Sequence, residues 1–358
     1  MALTPPPNTR PPREAHRIDE TKLAEWLGRN VDECAGGKAT VLQFKGGQSN
    51  PTYWIGVEGP NGEVQLVVRK KPPGKLLPSA HAVEREYRVM RALRGTKVPV
   101  PEALALCEDA SVIGTPFFVM RWAPSRIFWD PTLPELSKDD RRALYSEYVR
   151  VLAELHMVDW AAVGLGDYGK VGGFVQRQVE RWSKQYQASR TSDVAPMEAL
   201  MRWLGENVPK NDETTLVHGD YRIDNILFSP EGTPKAIGVI DWELSTLGHP
   251  LSDLAYACMG YHFNIPGRGG LAGIDLAALG IPTEDEMVAE YRRLTGRGEI
   301  ESWPFFMAFG IFRLAAIAQG VYARSLQGNA SSEDAGSYGA AVQMLAELAC
   351  SIAGVKWK

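Results

Sequence analysis

The sequence predicts an α+β protein made of two lobes, a small antiparallel-sheet lobe and a larger, mainly helical lobe. Between residues 40 and 68, turn-forming residues separate three apolar runs, which is the pattern of an antiparallel meander. In the second half, apolar residues recur repeatedly at helical spacing. The two patterns meet near residues 122–124, so we place an N-lobe at 19–123 and a C-lobe at 124–358. Residues 1–18 are expected to form a flexible tail, because residues 1–12 contain five prolines.

The N-lobe is predicted to be a sheet with one crossing helix. It begins with a short amphipathic helix opened by Asp19 and carrying Leu23, Trp26 and Leu27. The predicted strands are 40–44, 52–57 and 64–68, with glycine-containing turns at 46–47 and 59–62. Residues 79–93 then show helical spacing, and residues 112–122 return to strand character.

The C-lobe is predicted to be a set of helices around one compact block. Ser137 is a suitable N-cap for a long helix to Val158, since Asp139 and Asp140 would fall in its first turn. Further helices are predicted near 174–187, 196–207, 284–295, 301–326 and 337–353. In the block, residues 216–253, two apolar runs at 226–228 and 236–240 are separated by a Ser-Pro-Glu-Gly turn, as in a hairpin.

Charge and composition exclude several classes of function. The chain has 39 Lys and Arg against 43 Asp and Glu, a formal net charge of −4, whereas nonspecific nucleic-acid binding needs a basic face. The four cysteines show neither zinc-site nor disulfide spacing, which favours a reduced, cytoplasmic protein. The most apolar stretch, residues 305–321, is interrupted by Arg313 and Gln319, so we expect it to be too short and too polar to span a membrane.

The most informative segment is residues 218–225, His-Gly-Asp-Tyr-Arg-Ile-Asp-Asn. Asp220 and Asn225 lie five residues apart on a loop that leads into the predicted hairpin, and Asp241 follows the second strand of that hairpin. Alone, an Asp-x-x-x-x-Asn pattern is weak, because loop carboxylates are usually solvated. The preceding His-Gly and the Ile-Asp after the hairpin make it more specific. Carboxylate and amide oxygens suit Mg²⁺, so this block predicts a magnesium site.

This block resembles the catalytic and metal-binding loops of the protein-kinase-like small-molecule kinases, such as aminoglycoside phosphotransferases and choline kinases. The resemblance covers most of the chain, from about residue 40 to residue 260. It is strongest to the phosphotransferase-like domain fused to, or encoded beside, acyl-CoA dehydrogenases, on residues 68–77 and 238–245. It implies a bilobal protein-kinase-like fold, ATP and Mg²⁺ as cofactors, and phosphate transfer to a hydroxyl of a small molecule.

The resemblance assigns roles in the catalytic block. Asp220 would accept or orient the proton of the acceptor hydroxyl, while Asn225 and Asp241 would hold Mg²⁺ on the ATP phosphates. Arg222 stands where protein kinases have a lysine near the transferred phosphoryl group, and a cation there can stabilise transition-state charge. Asp253 matches an aspartate that ties down the backbone of the catalytic loop.

The resemblance also assigns a phosphate-binding loop to residues 46–50, Gly-Gly-Gln-Ser-Asn. Backbone N–H groups in such a loop can approach phosphate closely. The residues assigned to this contact are Gly47, Gln48, Ser49 and Asn50. On sequence alone, the same segment is typical of an ordinary hairpin turn.

A cation that pairs with the ATP phosphates is expected on the third strand. The family match places Arg69 there, where many relatives have lysine, and the neighbouring Lys70 would point to the other face of the strand. Either residue could therefore be the phosphate-binding cation. On the following helix, Glu86 is the expected acidic partner and Glu84 the alternative. Backbone groups from Met120 to Ala123 would hydrogen-bond adenine in the connector between the lobes.

Other nucleotide and hydrolase patterns lack support. Residues 164–169 match a dinucleotide-binding Gly-x-Gly-x-x-Gly, but a predicted helix precedes them where that motif needs a strand. The sequence contains neither a P-loop Gly-x-x-x-x-Gly-Lys-Ser/Thr nor a Gly-x-Ser-x-Gly nucleophile elbow.

The acceptor is expected to be apolar or anionic. From 301 to 330 the only acid is Glu301, against Arg313 and Arg324, and aromatic residues are frequent. With the resemblance, this favours a hydroxyacyl-CoA or a hydroxy acid, and an acyl-CoA dehydrogenase as a functional partner. Acids at 284–286 could still contact a cationic acceptor, which leaves an aminoglycoside or amino-alcohol kinase as an alternative. A second alternative is a nucleotide-binding pseudokinase scaffold, which the presence of Arg69 in place of lysine favours.

Overall fold

The computed structural model describes residues 3–45, 50–72, 74, 81–265, 269–326 and 338–357. They form two compact units. The first contains the chain up to Ile127 together with Asn225–Leu244, and the second contains Phe128–Asp224 together with the chain from Ser245 onward.

The strands are short and concentrated in the first unit. In chain order, they are β1 (Thr9–Arg10), β2 (Lys38–Phe44), β3 (Thr52–Gly59), β4 (Gly62–Lys70), β5 (Ala103–Cys107), β6 (Phe117–Arg121), β7 (Thr215–Val217), β8 (Ile226–Phe228), β9 (Ala236–Val239), β10 (Thr246–Gly248), β11 (Asn264–Ile265) and β12 (Gly269–Gly270). The first six form one antiparallel sheet in the order β1-β2-β3-β4-β6-β5. The predicted meander is therefore confirmed as β2–β3–β4.

The helices are concentrated in the second unit. The α-helices are α1 (Glu20–Asn30), α2 (Val83–Leu93), α3 (Ala110–Ile113), α4 (Lys138–His156), α5 (Phe174–Ser189), α6 (Ala195–Glu206), α7 (Pro250–Cys258), α8 (Leu276–Leu279), α9 (Glu284–Thr295), α10 (Trp303–Leu326) and α11 (Tyr338–Ala353). Short 3₁₀ helices occupy Glu14–His16, Asp32–Cys34, Ile223–Asn225, Trp242–Leu244 and Met259–His262. Ser137 caps α4 as predicted, with its side chain accepting from the Asp140 amide.

The N-terminal segment is not the free tail that its prolines suggested. Thr9 and Arg10 pair with the end of β2, so β1 extends the edge of the sheet. The hydroxyl of Tyr53 donates to the carbonyl of His16 at 2.8 Å, and the side chains of Gln43 and His16 are 3.1 Å apart. This strand pairing and these polar contacts hold the described part of residues 1–18 against the sheet.

The prediction of a continuous strand at 112–122 was wrong. Asp109 accepts from the Ser111 amide and begins the single helical turn α3, which ends at Gly114 with φ of 89°. The strand β6 begins only at Phe117. Strand β5, which pairs with β6, was not predicted.

The hairpin β8–β9 belongs to the first unit, although the predicted boundary assigned it to the C-lobe. Arg126 and Phe228 exchange two backbone hydrogen bonds, at 2.9 and 3.0 Å. The Val239 amide donates to the carbonyl of Pro99 at 2.8 Å. These hydrogen bonds pair backbone groups at the edges of the hairpin with the rest of the first unit. They matter because an isolated two-stranded hairpin is only marginally stable.

Helix α10 (Trp303–Leu326) corresponds to the helix predicted near 301–326. With 24 residues it is long and apolar enough to cross a membrane by length and composition, so the expectation that it was too short was wrong. However, 72% of its most apolar window is buried inside the fold, as in a core helix. Its buried aromatic residues are Phe305, Phe306, Phe309 and Phe312.

Candidate active site

A buried ion cluster in the first unit joins the end of β4 to α2. Arg69 Nε donates to Glu86 at 3.0 Å, and Arg69 Nη2 donates to Asp241 Oδ1 at 2.5 Å. The side chains of Arg69 and Glu86 are only 10% and 1% exposed. Burial raises the pKa of the Glu86 carboxyl to about 7, with the Arg69 cation acting in the opposite direction. Buried charges need such mutual pairing to avoid a large desolvation cost.

The geometry separates the alternatives that the sequence left open. Lys70 lies on the opposite face of β4, where its Nζ donates to the carbonyl of Ile113 at 2.8 Å. Burial lowers the pKa of Lys70. Glu84 pairs with Lys71 at 2.9 Å and stays partly exposed. Of the two candidate pairs, Arg69 and Glu86 are therefore the residues brought next to Asp241.

Asn50 is fully buried, and its side chain is part of the same cluster. Its Nδ2 donates to Glu86 at 2.9 Å and to Glu243 at 3.4 Å, while its Oδ1 is 3.0 Å from His81 Nδ1. The structure thus gives the Asn50 side chain a role in fixing the acids. Gly47, Gln48 and Ser49 lie outside the described residues. Glu243 was missed, although its position two residues after Asp241 was a usable signal.

The hairpin β8–β9 places the two predicted metal ligands at one end. Ile226 pairs with Val239, and the Ile240 amide donates to the Asn225 carbonyl at 3.0 Å. Asn225 therefore lies opposite the residue that precedes Asp241. Asp241 has φ of +66°, a left-handed conformation that aspartate tolerates better than most residues.

This donor set fits Mg²⁺ bound together with a nucleotide. It offers an amide and a carboxylate, and the Asp241 side chain is 27% exposed. Within the ranges that the structure describes, no group of three or more His, Cys, Asp or Glu forms a complete metal cage. Mg²⁺ commonly takes one or two protein oxygens and completes its shell with substrate phosphates and water.

The predicted adenine contacts differ in their surroundings. Met120 lies inside β6, where it is paired with Val67 of β4 and Ala103 of β5. Ala123 follows the end of the strand, after Trp122 has donated its amide to Gln65 at 3.2 Å. Sheet pairing therefore engages Met120 on both sides, whereas the main chain at Ala123 lies beyond the sheet.

The second unit holds the predicted catalytic residues. The Tyr256 hydroxyl donates to Asp220 Oδ1 at 2.6 Å, and Arg222 Nε is 3.5 Å from the same oxygen. Arg222 also pairs with Asp224 at 3.0 Å. The Asp220 side chain is 21% exposed, so its carboxylate reaches solvent. Burial, followed by the charge of Asp220, raises the pKa of Tyr256, which keeps the phenol protonated as a donor.

Asp253 anchors the backbone just before Asp220. Its carboxylate accepts from the amides of His218 and Gly219 at 2.5 and 2.8 Å. Burial alone would raise the pKa of Asp253, but His156 and these amide donors hold it below its usual value. Asp253 and Tyr256 are three residues apart on α7 and so share one face. Helix α7 therefore fixes both the backbone and the carboxylate of this loop; Tyr256 was missed from the sequence.

Comparison with known proteins agrees with this architecture. The model of the phosphotransferase enzyme family matches residues 40–294. A mouse (Mus musculus) protein, acyl-CoA dehydrogenase family member 10, is 47% identical over 349 residues, which cover 97% of this chain and 32% of that protein. The chain thus spans about a third of the length of that relative.

Solved structures show the same fold. A Ralstonia eutropha JMP134 protein described as a candidate aminoglycoside phosphotransferase is 45% identical, with a TM-score of 0.85 over 95% of this chain and 100% of that one. The streptomycin–ATP complex of aminoglycoside phosphotransferase APH(2")-IIa is 14% identical, with a TM-score of 0.58 over 93% of this chain and 99% of that one, and shows the fold alone. The fold class predicted from the sequence is confirmed, and the chain belongs to the phosphotransferase enzyme family.

Proposed function

We propose that this protein transfers the γ-phosphate of ATP, in the presence of Mg²⁺, to a hydroxyl of a small molecule. The observation that carries this proposal is the setting of Asp220. Its carboxylate reaches solvent, Tyr256 and Arg222 approach one of its oxygens, and Asp253 fixes the preceding backbone. A base held in this way can accept or orient the proton of an alcohol as it attacks phosphorus.

The first unit supplies the groups that nucleotide binding needs. Arg69 would bind the ATP phosphates, with Glu86 fixing its guanidinium, and Asn225 and Asp241 would hold the metal. When bound, Mg²⁺ neutralises part of the phosphate charge. Arg222 would stabilise charge on the transferred group. Catalysis would then rest on positioning and electrostatics without a covalent phospho-enzyme.

We propose a hydroxyacyl-CoA or a hydroxy acid as the acceptor. The name of the mouse relative, acyl-CoA dehydrogenase family member 10, supports an acyl substrate and an acyl-CoA dehydrogenase as a functional partner. A polycationic acceptor would need available carboxylates. Glu284, one of the acids considered for that contact, instead lies 2.8 Å from His262 and accepts from Trp303 at 3.0 Å. Glu286 caps α9 in a reciprocal box with Thr283.

The four phenylalanines of α10 do not support or oppose any acceptor class. Phe305, Phe306, Phe309 and Phe312 are buried, and Phe306 stacks on His249. They form core and are not available as a ligand platform. The support for an apolar or anionic acceptor therefore comes from the charge of residues 301–330 and not from the number of their aromatic residues.

One observation favours a second candidate, a nucleotide-binding pseudokinase. Arg69, which is always protonated, contacts Asp241 and competes with a metal for that carboxylate. In an active enzyme, this ion pair would have to leave a carboxylate oxygen of Asp241 available to Mg²⁺. Binding of Mg²⁺ and ATP without turnover would indicate the pseudokinase.

The test measures phosphorylated product, by mass spectrometry, from ATP and a panel of acceptors. The panel contains hydroxyacyl-CoAs, free hydroxy acids, choline, ethanolamine and aminoglycosides. We expect product with the acyl compounds, loss of product in Asp220→Asn, and unchanged product in the exposed-loop control Glu231→Gln. Phosphorylated aminoglycosides alone would overturn the acceptor class. Absence of product from every acceptor, with ATP bound, would overturn the transferase.

A further inference from the structure

Arg313 of α10 lies directly against the catalytic loop. Its Nη2 donates to the carbonyl of Gly219, the residue before Asp220, at 2.9 Å. Its guanidinium lies 5.4 Å from the ring centre of Trp182 and 5.3 Å from that of Tyr256. The two aromatic rings hold this cation by cation–π attraction. Among the described residues, no carboxylate forms an ion pair with Arg313, so its charge is not neutralised within that part of the chain.

Two N–H groups of this cluster are buried without a hydrogen-bond partner in the described part of the chain. They are Nε of Arg313 and Nε1 of Trp182, whose residue is only 9% exposed. Folded proteins satisfy nearly all buried polar groups, so each exception needs an explanation, such as a catalytic role or a bound ion or water. Two unpaired donors on side chains in contact, one of them cationic, suit an oxygen acceptor with a negative charge.

We propose that Arg313 and Trp182 form a subsite for the carboxylate of the acceptor. The proposal rests on the proposed kinase function and specifies its substrate class, an alcohol that carries an acid group. Tyr256 links the subsite to the chemistry, because its ring contacts Arg313 while its hydroxyl contacts Asp220. An acceptor whose carboxylate binds Arg313 would present its hydroxyl toward Asp220. The carbon chain between the carboxylate and the hydroxyl of the acceptor would set the distance between these two contacts.

The test compares acids with alcohols of the same length. The acceptors are 2- to 6-hydroxyhexanoates, and each has a matched hexanediol that lacks the carboxylate. The variants are Arg313→Gln, Arg313→Lys and Trp182→Phe, and the matched control is Arg324→Gln, an exposed arginine on the same helix. Thermal unfolding verifies that each variant is folded.

We expect Arg313→Gln to raise KM for the best hydroxyhexanoate by about tenfold or more, as loss of a charge-assisted contact should. KM for ATP and for the hexanediol should change less than twofold. Arg313→Lys should restore part of the loss, and Trp182→Phe should weaken the acid by a few-fold. Equal effects on acid and diol would overturn the proposal, since they indicate a structural role for Arg313.

A binding measurement separates this proposal from the proposed function. Hexanoate, which cannot be phosphorylated, is titrated calorimetrically into the wild type with ADP and Mg²⁺, with hexanol as its uncharged control. Hexanoate binding that weakens in Arg313→Gln and not in Arg324→Gln supports the subsite even if no alcohol is turned over. Phosphorylation of diols or aminoglycosides without hexanoate binding would retain the kinase and overturn the subsite.

Discussion

His249 should make the second unit sensitive to mild acid. It is 1% exposed, stacks on Phe306 with ring centres 4.6 Å apart, and caps α7 by accepting the Leu251 amide on Nδ1 at 3.2 Å. Burial lowers the pKa of His249 from 6.5 to about 4. Protonation would remove the cap acceptor and place a cation at the positive end of α7.

The sign and size follow from linkage. The unfolded chain binds this proton more tightly than the folded protein, so stability is fully present above pH 6.5 and falls as the pH drops toward 4. Each pKa unit corresponds to about 1.4 kcal/mol, which limits the total loss to about 3 kcal/mol. Between pH 7.5 and 5.5 the same relation gives about 1 kcal/mol. For a unit of this size that is about 3 °C in Tm.

The perturbation is His249→Asn, because asparagine caps helices and does not titrate in this range. Calorimetric unfolding of both proteins at pH 7.5, 6.5 and 5.5 gives Tm against pH. We expect the variant to be less stable at pH 7.5, through loss of the stacked ring, but to lose about 3 °C less than the wild type on going to pH 5.5. Parallel curves for the two proteins would refute the assignment of the pH dependence to His249.

Three further predictions concern the site. Asp253→Asn should lower the free energy of unfolding by about 3 kcal/mol and product formation at least tenfold, because the amides of His218 and Gly219 lose a charged acceptor. Denaturant unfolding and initial rates check this prediction, and an unchanged rate would contradict the anchoring role of Asp253. Arg69→Lys should retain measurable turnover, because it keeps a cation for the phosphates, whereas Arg69→Met should abolish turnover. ATP affinity and reaction rate check this prediction. Equal activity of the two variants would contradict phosphate binding by Arg69. Tyr256→Phe should lower kcat about tenfold with KM for ATP unchanged, because one hydrogen bond at 2.6 Å orients Asp220; an unchanged kcat would refute it.

Most of the fold could be predicted because its elements have recognisable local sequence signals. Glycine-containing segments of the sequence separate strands β2, β3 and β4, and α4 begins with a serine cap followed by two acidic residues. The elements that were missed lack such signals. Strand β5 consists of five residues of modest size, and α3 is a single turn set by Asp109 and Gly114. Pairing with β6 and contact with α2 stabilise β5, and such partners are not visible in a local pattern.

The chemistry of the candidate site was partly predictable for the same reason. Asp220, Asn225 and Asp241 stand in a motif with fixed spacing. Tyr256 lies 36 residues from the carboxylate it contacts, and Arg313 lies 94 residues from Gly219. Such partners are selected by the packing of helices, so only the folded chain reveals them. The contact of the Asn50 side chain was likewise not predictable. The motif assigned this residue to phosphate binding, whereas its side chain donates to Glu86.

The path of the chain between the two units limits how this protein can be divided. It passes from one unit to the other after Ile127, after Asp224 and after Leu244. No single cut can therefore separate the units, and a fragment ending near residue 123 would lack the hairpin that carries Asn225 and leads into Asp241. Gene fusion or recombination that keeps the first unit whole must therefore carry residues 1–244 in one piece, including the part of the second unit that lies between its two segments.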